Sequence, residues 1–170
     1  MAEILRLCVQ IGVPKPVVCQ PNYNAMNRIP EVEVLPAYGY YGIGVVPYSP
    51  LARGVLTGKY EPKASPAKGT RAGCSDQQIL QTEFRKESLV LAQRIMKHAE
   101  KCGMTAGAFA TLWFLKNKFV TSVLAGPQTM VHWNGYLNAL NYEFIAEDEA
   151  LIDKVVAAGH SSNPSYNDPE

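Results

Sequence analysis

The order of secondary-structure signals along this 170-residue chain predicts an α/β fold with parallel strands. Three short β-rich runs cover residues 16–20, 43–46 and 120–124, and helical patterns separate them. The last run, VTSVL, is typical of a strand that is buried in a parallel sheet. Because three such strands covered on one side only would leave apolar surface exposed, we expect the chain to be part of something larger or to dimerise.

Each helix is predicted from apolar residues at helical spacing together with a start or stop signal. Gly12 ends the first helix, Pro36 makes the second irregular, Gly103 ends a long amphipathic helix, and Thr105 caps the very apolar helix that follows. The predicted helices cover residues 4–11, 31–41, 84–102, 106–117, 129–140 and 147–157.

Two further segments are predicted to lie outside the regular elements. Residues 57–75, rich in Gly, Pro, Lys, Ala and Ser, form a long surface loop, and loops of this length are usually functional or mobile. The polar residues from Gly159 onward are predicted to be loose. The chain is therefore divided into a domain over 1–158 and a tail over 159–170.

Composition and charge argue against several function classes. Lys and Arg number 16 against 15 Asp and Glu, and no basic stripe with interleaved aromatic residues indicates nucleic-acid binding. The apolar runs are too short to cross a membrane, and the N-terminus, with acidic Glu3, lacks the pattern of a signal peptide. The four cysteines contain no C-x-x-C pair, which predicts reduced, buried or half-buried thiols in a cytoplasmic protein.

No metal site and no local catalytic arrangement of the Ser/His/Asp or Cys/His kind is predicted. His98 and His160, placed on an exposed helix face and in the tail, receive no role. The acidic residues of the last helix are expected to form a solvated face with no His or Cys ligand nearby. These acidic residues are Glu147, Asp148, Glu149 and Asp153.

Two residues at predicted strand ends could contact a flat, polar ligand. Tyr48 follows the strand 43–46, and its ring can lie against a heteroaromatic group. A core tyrosine whose hydroxyl bonds the backbone is the alternative. Gln20, at the end of the preceding strand, can both donate to and accept from a carboxamide. Asn22 and Asn24, which follow it, are assigned to local turn capping.

A third segment has the pattern of a phosphate-binding turn. Gly126 and a helix start near Thr129 follow the strand 120–124. Unpaired amides at a helix start can bind phosphate, and glycine permits a close approach of the backbone. An ordinary strand-to-helix turn with a threonine cap would give the same pattern, so the spacing alone leaves both interpretations open.

These segments closely resemble the aldo-keto reductases, which are NADPH-dependent oxidoreductases built on a (β/α)8 TIM barrel. The likeness is carried by QPNYNAMNR from Gln20 and VVPYSPLARGVLTGKY from Val45, and it is strongest to the potassium-channel β-subunit-like branch. It implies the C-terminal portion of the barrel, strands six to eight with their helices. The barrel is expected to be incomplete in this chain, because a closed barrel typically needs about 250 residues.

The resemblance implies a binding site for the cofactor NADPH. It implies that Tyr48 stacks on the nicotinamide, that Gln20 bonds its carboxamide, and that the residues from Ser49 to Arg53 line the pyrophosphate. The phosphate and adenine positions depart from the usual family residues, which leaves the mode of adenine binding open. The implied set is Gln20, Tyr48, Ser49, Pro50, Leu51, Ala52, Arg53, Lys59, Arg71, Gly126, Gln128, His132 and Tyr136.

Two cations of the long loop bear on the choice between NADPH and NADH. Lys59 and Arg71 match family positions that reach over the cofactor phosphates, and charge-assisted contacts to a 2′-phosphate would favour NADPH. Alternatively, both are solvated loop charges, because Lys63 and Lys68 are equally available by sequence.

In the full-length context, the resemblance implies reduction of aldehydes or ketones, small carbonyl substrates, to alcohols. The family's Asp, Tyr, Lys and His come from barrel strands before the one carrying Gln20, so no catalytic residue is nominated and the isolated chain is expected to be inactive. The alternatives are a non-catalytic nucleotide-binding or regulatory module, and an inactive fragment that self-associates through exposed barrel edges. Partners such as nucleic acid or a membrane are not expected.

Overall fold

Two short parallel strands pair in the computed structural model, which describes residues 1–163. Strand β1 (Val18–Cys19) pairs residue for residue with β2 (Gly44–Val45). Helix α2 (Val34–Tyr41) lies between them in sequence and supplies the crossover that parallel strands require. The parallel pairing agrees with the predicted α/β class, although the chain is rich in helix and has few strands.

The third predicted strand does not form a ladder. Residues 120–124 make one parallel bridge, between Val120 and Val45, and the Thr121 N–H donates to the Val45 carbonyl at 2.8 Å. The Val45 N–H, however, donates to the Thr121 hydroxyl at 3.1 Å. Because the Leu124 N–H also donates to the Pro47 carbonyl at 3.0 Å, residues 120–124 run beside β2, but they form a single bridge rather than the full strand that was predicted.

The remaining helices follow the predicted positions to within a few residues, except the short helix at Gln77–Gln81, which was not predicted. The predicted second helix splits into a 3-10 turn at Ile29–Glu31 and α2. Pro36 does not distort α2, because it lies in the first turn, where backbone N–H groups have no helical partner. None of the helices in residues 1–163 is both long and apolar enough to cross a lipid bilayer. The others are α1 (Ala2–Ile11), α3 (Gln77–Gln81), α4 (Lys86–Lys101), α5 (Ala106–Lys116), α6 (Met130–Asn138) and α7 (Ala146–Val155).

The hydrophobic core is centred on α5. Eight of its eleven residues are buried, as expected for a helix without a polar face. Thr105 caps it as predicted, its hydroxyl oxygen accepting from the Ala108 N–H at 3.1 Å. Helix α4 packs against α5 with Leu89, Ala92 and Ile95, the predicted apolar side.

The apolar face of α1 is exposed. Only Leu5 is buried in this helix, whereas Ile4, Leu7 and Ile11 are exposed. Val17, next to β1, is 79 % exposed. Val17 and Val18 therefore leave apolar surface exposed at β1, in line with the expectation that the strands would be incompletely covered.

Arg28 joins the segment after β1 to the C-terminal helix. Its buried guanidinium donates to Asp153 Oδ1 at 2.7 Å and to the Val156 carbonyl at 2.8 Å. Its backbone N–H donates to the His160 carbonyl at 2.8 Å, and the Ser162 N–H donates to the Met26 carbonyl at 2.7 Å. The predicted loose tail is therefore hydrogen-bonded at 160–162, and its residues 164–170 lie outside the described part of the chain.

Candidate functional site

The loop after β2 has an unusual backbone. Ser49, Ala52 and Arg53 have left-handed φ angles of 59°, 46° and 52°, and Gly54 follows at 96°. Such angles are costly for residues with a Cβ, and they cluster at functional sites. The Asn24 amide secures this loop by donating from Nδ2 to the Ser49 carbonyl at 3.0 Å. Its Oδ1 accepts from the Met26 and Asn27 N–H groups, which is the turn-capping role predicted for Asn24.

This loop forms one wall of a groove of about 590 Å³, a volume suited to a small organic ligand. The other walls come from the long loop, the first half of α5, and the turn before α6 together with α6 as far as Tyr136. The predicted site residues that line the groove are Tyr48, Ser49, Pro50, Leu51, Arg53, Lys59, Arg71, Gly126, Gln128, His132 and Tyr136.

Two predicted residues are outside this lining. Gln20 is exposed between half-buried Cys19 and Pro21, because side chains of an extended segment alternate in direction. The following residues reach the loop instead, as Pro21 accepts from the Tyr48 N–H at 3.1 Å. Ala52 is fully buried behind the loop, so its methyl group belongs to the core.

The cations of the long loop are not equivalent. Lys59 and Arg71 line the groove, whereas Lys63 and Lys68 do not. The Lys59 ammonium lies 5.2 Å from the centre of the Tyr60 ring. It occupies the space that a side chain at Gly54 would take. Arg71 is half-exposed, with Nη1 3.9 Å from Asp76 Oδ2. The groove thus presents two positive charges with weak or no acidic pairing.

Arg53 differs from these cations because its charge is compensated. Its Nε donates to both carboxylate oxygens of buried Glu83 at 3.0 Å. The family resemblance implied that Arg53 lines the cofactor pyrophosphate. In the structure, the same side chain both lines the groove and holds the loop to residue 83.

The start of α6 closes one end of the groove. Thr129 caps the helix, as in the ordinary strand-to-helix turn that the sequence left open, and its hydroxyl oxygen accepts from the His132 N–H at 3.2 Å. The Gln128 N–H donates to His132 Nδ1 at 3.4 Å, which makes Nδ1 the acceptor nitrogen. Burial raises the pKa of Tyr136, and a hydrogen bond with the Gly126 backbone partly offsets this rise. The backbone of Gly126 and Gln128, which the resemblance implies at the phosphate, therefore contacts the side chains of Tyr136 and His132, which it implies at the adenine.

One wall of the groove was missed by sequence reasoning. The first turns of α5 contribute a patch of small side chains, although the sequence indicated only a core helix. The available signal was the run of small residues on the helix before its bulky ones, which leaves space for a ligand. These residues are Thr105, Gly107, Ala108 and Thr111.

Residues 2–157 match the aldo/keto reductase family. The chain belongs to the aldo/keto reductase family. A rice protein named "Probable voltage-gated potassium channel subunit beta" is 35% identical over 162 residues, which are 95% of this chain and 49% of that protein. The predicted family resemblance is thus confirmed.

Two further relatives of this chain are named as reductases. The L-glyceraldehyde 3-phosphate reductase of Escherichia coli K12 is 31% identical over 166 residues, 94% of this chain and 46% of the relative. The aflatoxin B1 aldehyde reductase member 2 of Rattus norvegicus is 36% identical over 104 residues, 57% of this chain and 28% of the relative. The chain spans less than half the length of each of these three relatives.

Proposed function

We propose that the chain forms the cofactor-binding portion of an NADPH-dependent reductase that converts aldehydes or ketones to alcohols. The observation that carries this proposal is the groove, which collects Tyr48, Lys59, Arg71 and the start of α6 along one cleft. Family membership and the two relatives named as reductases support the reaction class. In this proposal β1, β2 and residues 120–124 correspond to strands six to eight of a TIM barrel.

The residues present fit a dinucleotide. Half-buried Tyr48 offers an aromatic face for the nicotinamide, while Lys59 and Arg71 offer positive charge for the phosphates. The backbone around Gly126 and the first turn of α6 can bind a phosphate through N–H groups. The cofactor, when bound, supplies the hydride. The chain's own residues orient the dinucleotide and compensate its charge.

We do not propose that the 170-residue chain reduces a carbonyl substrate on its own. Reduction needs a proton donor next to the carbonyl oxygen, and none of the described residues that line the groove is assigned that role. We expect no measurable reduction of a generic aldehyde by the purified chain. Turnover that disappears in Tyr48→Ala would contradict this expectation.

A second candidate is a nucleotide-binding subunit that regulates a partner. It is supported by the rice relative, whose name is that of a channel subunit. Both candidates require NADPH binding and differ in turnover once a complete barrel is available. Reductase activity after addition of a polypeptide that supplies barrel strands one to five would favour the enzyme, whereas binding without turnover would favour the subunit.

The proposal is tested by fluorescence titration of the chain with NADPH and, separately, with NADH. We expect saturable binding that prefers NADPH. Arg71→Ala and Lys59→Ala should each weaken NADPH binding by about tenfold, equivalent to about 1.4 kcal/mol, and affect NADH less. Lys68→Ala is the matched control, because it removes a charge from the same loop but outside the groove. Equal effects of Arg71→Ala and Lys68→Ala, or no binding by a folded chain, would overturn the proposal.

A further inference from the structure

Three potential metal ligands meet between α4 and α7. His98 and Cys102 are four residues apart on α4 and its C-terminal cap, a spacing that brings two helical side chains to the same face. Asp148 approaches them from the first turn of α7. One donor atom from each residue lies within 4.8 Å of the other two.

The structure corrects two expectations for these residues. His98 was expected on an exposed face, but its side chain is 24% exposed and bonds Asp148. Asp148 was assigned to a solvated acidic face, yet it is 1% exposed. A carboxylate is rarely buried without a specific partner, and here the His98 ring and the Ile145 N–H are those partners.

The contacts around His98 argue against a nucleophilic triad. Asp148 Oδ1 lies 2.6 Å from His98 Nε2, and Cys102 Sγ lies 3.7 Å from the same nitrogen. A Cys/His/Asp triad needs the thiol and the carboxylate on opposite ring nitrogens, since one activates the nucleophile and the other orients the ring. Cys102 Sγ is also 3.8 Å from Asp148 Oδ1. The three donor atoms therefore face one another around a common point.

The donor set and its spacing suit zinc. Zn²⁺ binds thiolate, imidazole and carboxylate, and tetrahedral coordination places such ligand atoms about 3.3–3.6 Å apart. The two distances from sulfur, 3.7 and 3.8 Å, are already close to this range. Only the His98–Asp148 pair would have to open, by roughly 0.7 Å, as both atoms exchange their hydrogen bond for the metal.

Neighbouring groups hold the ligands in position. Asp148 Oδ2 accepts from the Ile145 backbone N–H at 3.0 Å, which leaves Oδ1 directed at the site. The His98 ring packs edge-to-face against Phe109, with ring centres 5.4 Å apart. Supporting contacts of this kind fix ligand orientation in metal sites.

We propose that His98, Cys102 and Asp148 form a Zn²⁺ site with three protein ligands and a water molecule. The site would join the end of α4 to the start of α7. It lies apart from the proposed function, because none of the three residues lines the groove. Metal binding and nucleotide binding therefore succeed or fail separately.

The test is titration of the reduced full chain with Zn²⁺ by calorimetry and with Co²⁺ by absorption spectroscopy. We expect one metal per chain and a thiolate-to-cobalt charge-transfer band. Cys102→Ser and His98→Gln should each weaken metal binding by at least about 100-fold. Mutation of a residue that only supports a metal ligand can already lower metal affinity by up to about 100-fold, and loss of a ligand should cost no less. Cys102→Ser should also abolish the band.

Cys74→Ser is the matched control, because Cys74 is another exposed, free thiol that is not in the cluster. It should bind both metals like the parent chain. Asp148→Asn is a poorer probe, since Asp148 also caps α7. The proposal is overturned if no charge-transfer band appears, if Cys102→Ser binds Zn²⁺ as tightly as the parent, or if Cys74→Ser loses binding to the same extent.

Discussion

Arg53 and Glu83 form a buried ion pair that supports the groove. Arg53 Nε is 3.0 Å from each Glu83 carboxylate oxygen, and the Thr82 hydroxyl donates to the same carboxylate. Arg53 also has a left-handed backbone, which is unfavourable for a residue with a side chain. The ion pair therefore stabilises a loop conformation that the local sequence would not hold alone.

Loss of one partner in this pair should destabilise the fold strongly. Glu83→Gln leaves the guanidinium of Arg53 without its compensating charge, and breaking a buried pair typically costs about 3–5 kcal/mol. Urea denaturation should show this loss as a lower free energy of unfolding. Glu87→Gln, at an exposed position in the first turn of α4, should change stability by less than about 1 kcal/mol. Similar stabilities of the two variants would refute the role of Glu83.

Tyr23 makes two hydrogen bonds in the core that a phenylalanine cannot make. Its hydroxyl donates to Glu31 Oε1 at 2.7 Å and accepts from Asn117 Nδ2 at 2.9 Å. Tyr23→Phe should cost about 1–3 kcal/mol, since it leaves polar partners unsatisfied. Tyr40→Phe is the control, because Tyr40 is 84% exposed. Equal unfolding midpoints of both variants and the parent chain would contradict the prediction.

The same tyrosine predicts a dependence of stability on pH. Burial, followed by the charge of Glu31, raises the pKa of Tyr23 above its ordinary value of 10.0. Above pH 10.0 the unfolded chain releases this proton while the native chain keeps it, so stability falls as pH rises. The loss from this group is at most about 1.4 kcal/mol per pH unit.

Tyr23→Phe has no phenol to titrate, so the difference in free energy of unfolding between the parent chain and the variant should shrink at alkaline pH. Urea unfolding of both proteins at about pH 8 and about pH 11 measures the change, and other titrating groups cancel in the difference. A gap that stays constant or widens would show that the buried phenol is not the cause.

Two groove glycines should respond oppositely to alanine. Gly54 has a φ of +96°, and an added Cβ would lie 2.9 Å from Lys59 Nζ, so Gly54→Ala should destabilise the chain and move Lys59. Gly107 lies within α5, and its Cβ would meet Thr57 and Leu51 at 3.9 and 4.0 Å. Gly107→Ala should therefore stabilise by about 0.5–1 kcal/mol, through helix propensity. Thermal unfolding measures both changes, and midpoints that shift in the same direction for both variants would contradict the prediction.

Local sequence signals predicted the helices of residues 1–163 except α3. Thr105 and Thr129 cap their helices as expected, because a cap depends on side-chain and backbone groups within a few residues. The missing third ladder could not be predicted in the same way. It reflects tertiary contacts such as that of the Val45 N–H with the Thr121 hydroxyl, between residues 76 positions apart.

The groove was partly predictable, because its loops carry a long family-like run. The contribution of α5 was not, since an apolar helix pattern does not tell which small residues face a cleft. Asp148 shows a similar limit. An acidic side chain in the first turn of a helix suggests a cap, but the approach of His98 from another helix is a tertiary contact.

The contacts of Arg28 with the C-terminal region have a consequence for folding. Arg28 reaches Asp153 and Val156 across 125 and 128 positions of sequence, so closing this connection carries the entropy cost of a very long loop. During synthesis, the segment after β1 must wait until residues near 160 have emerged from the ribosome. Once formed, the two regions should open as one unit. The Arg28 and Ser162 amides are therefore expected to exchange with solvent deuterium at matching rates.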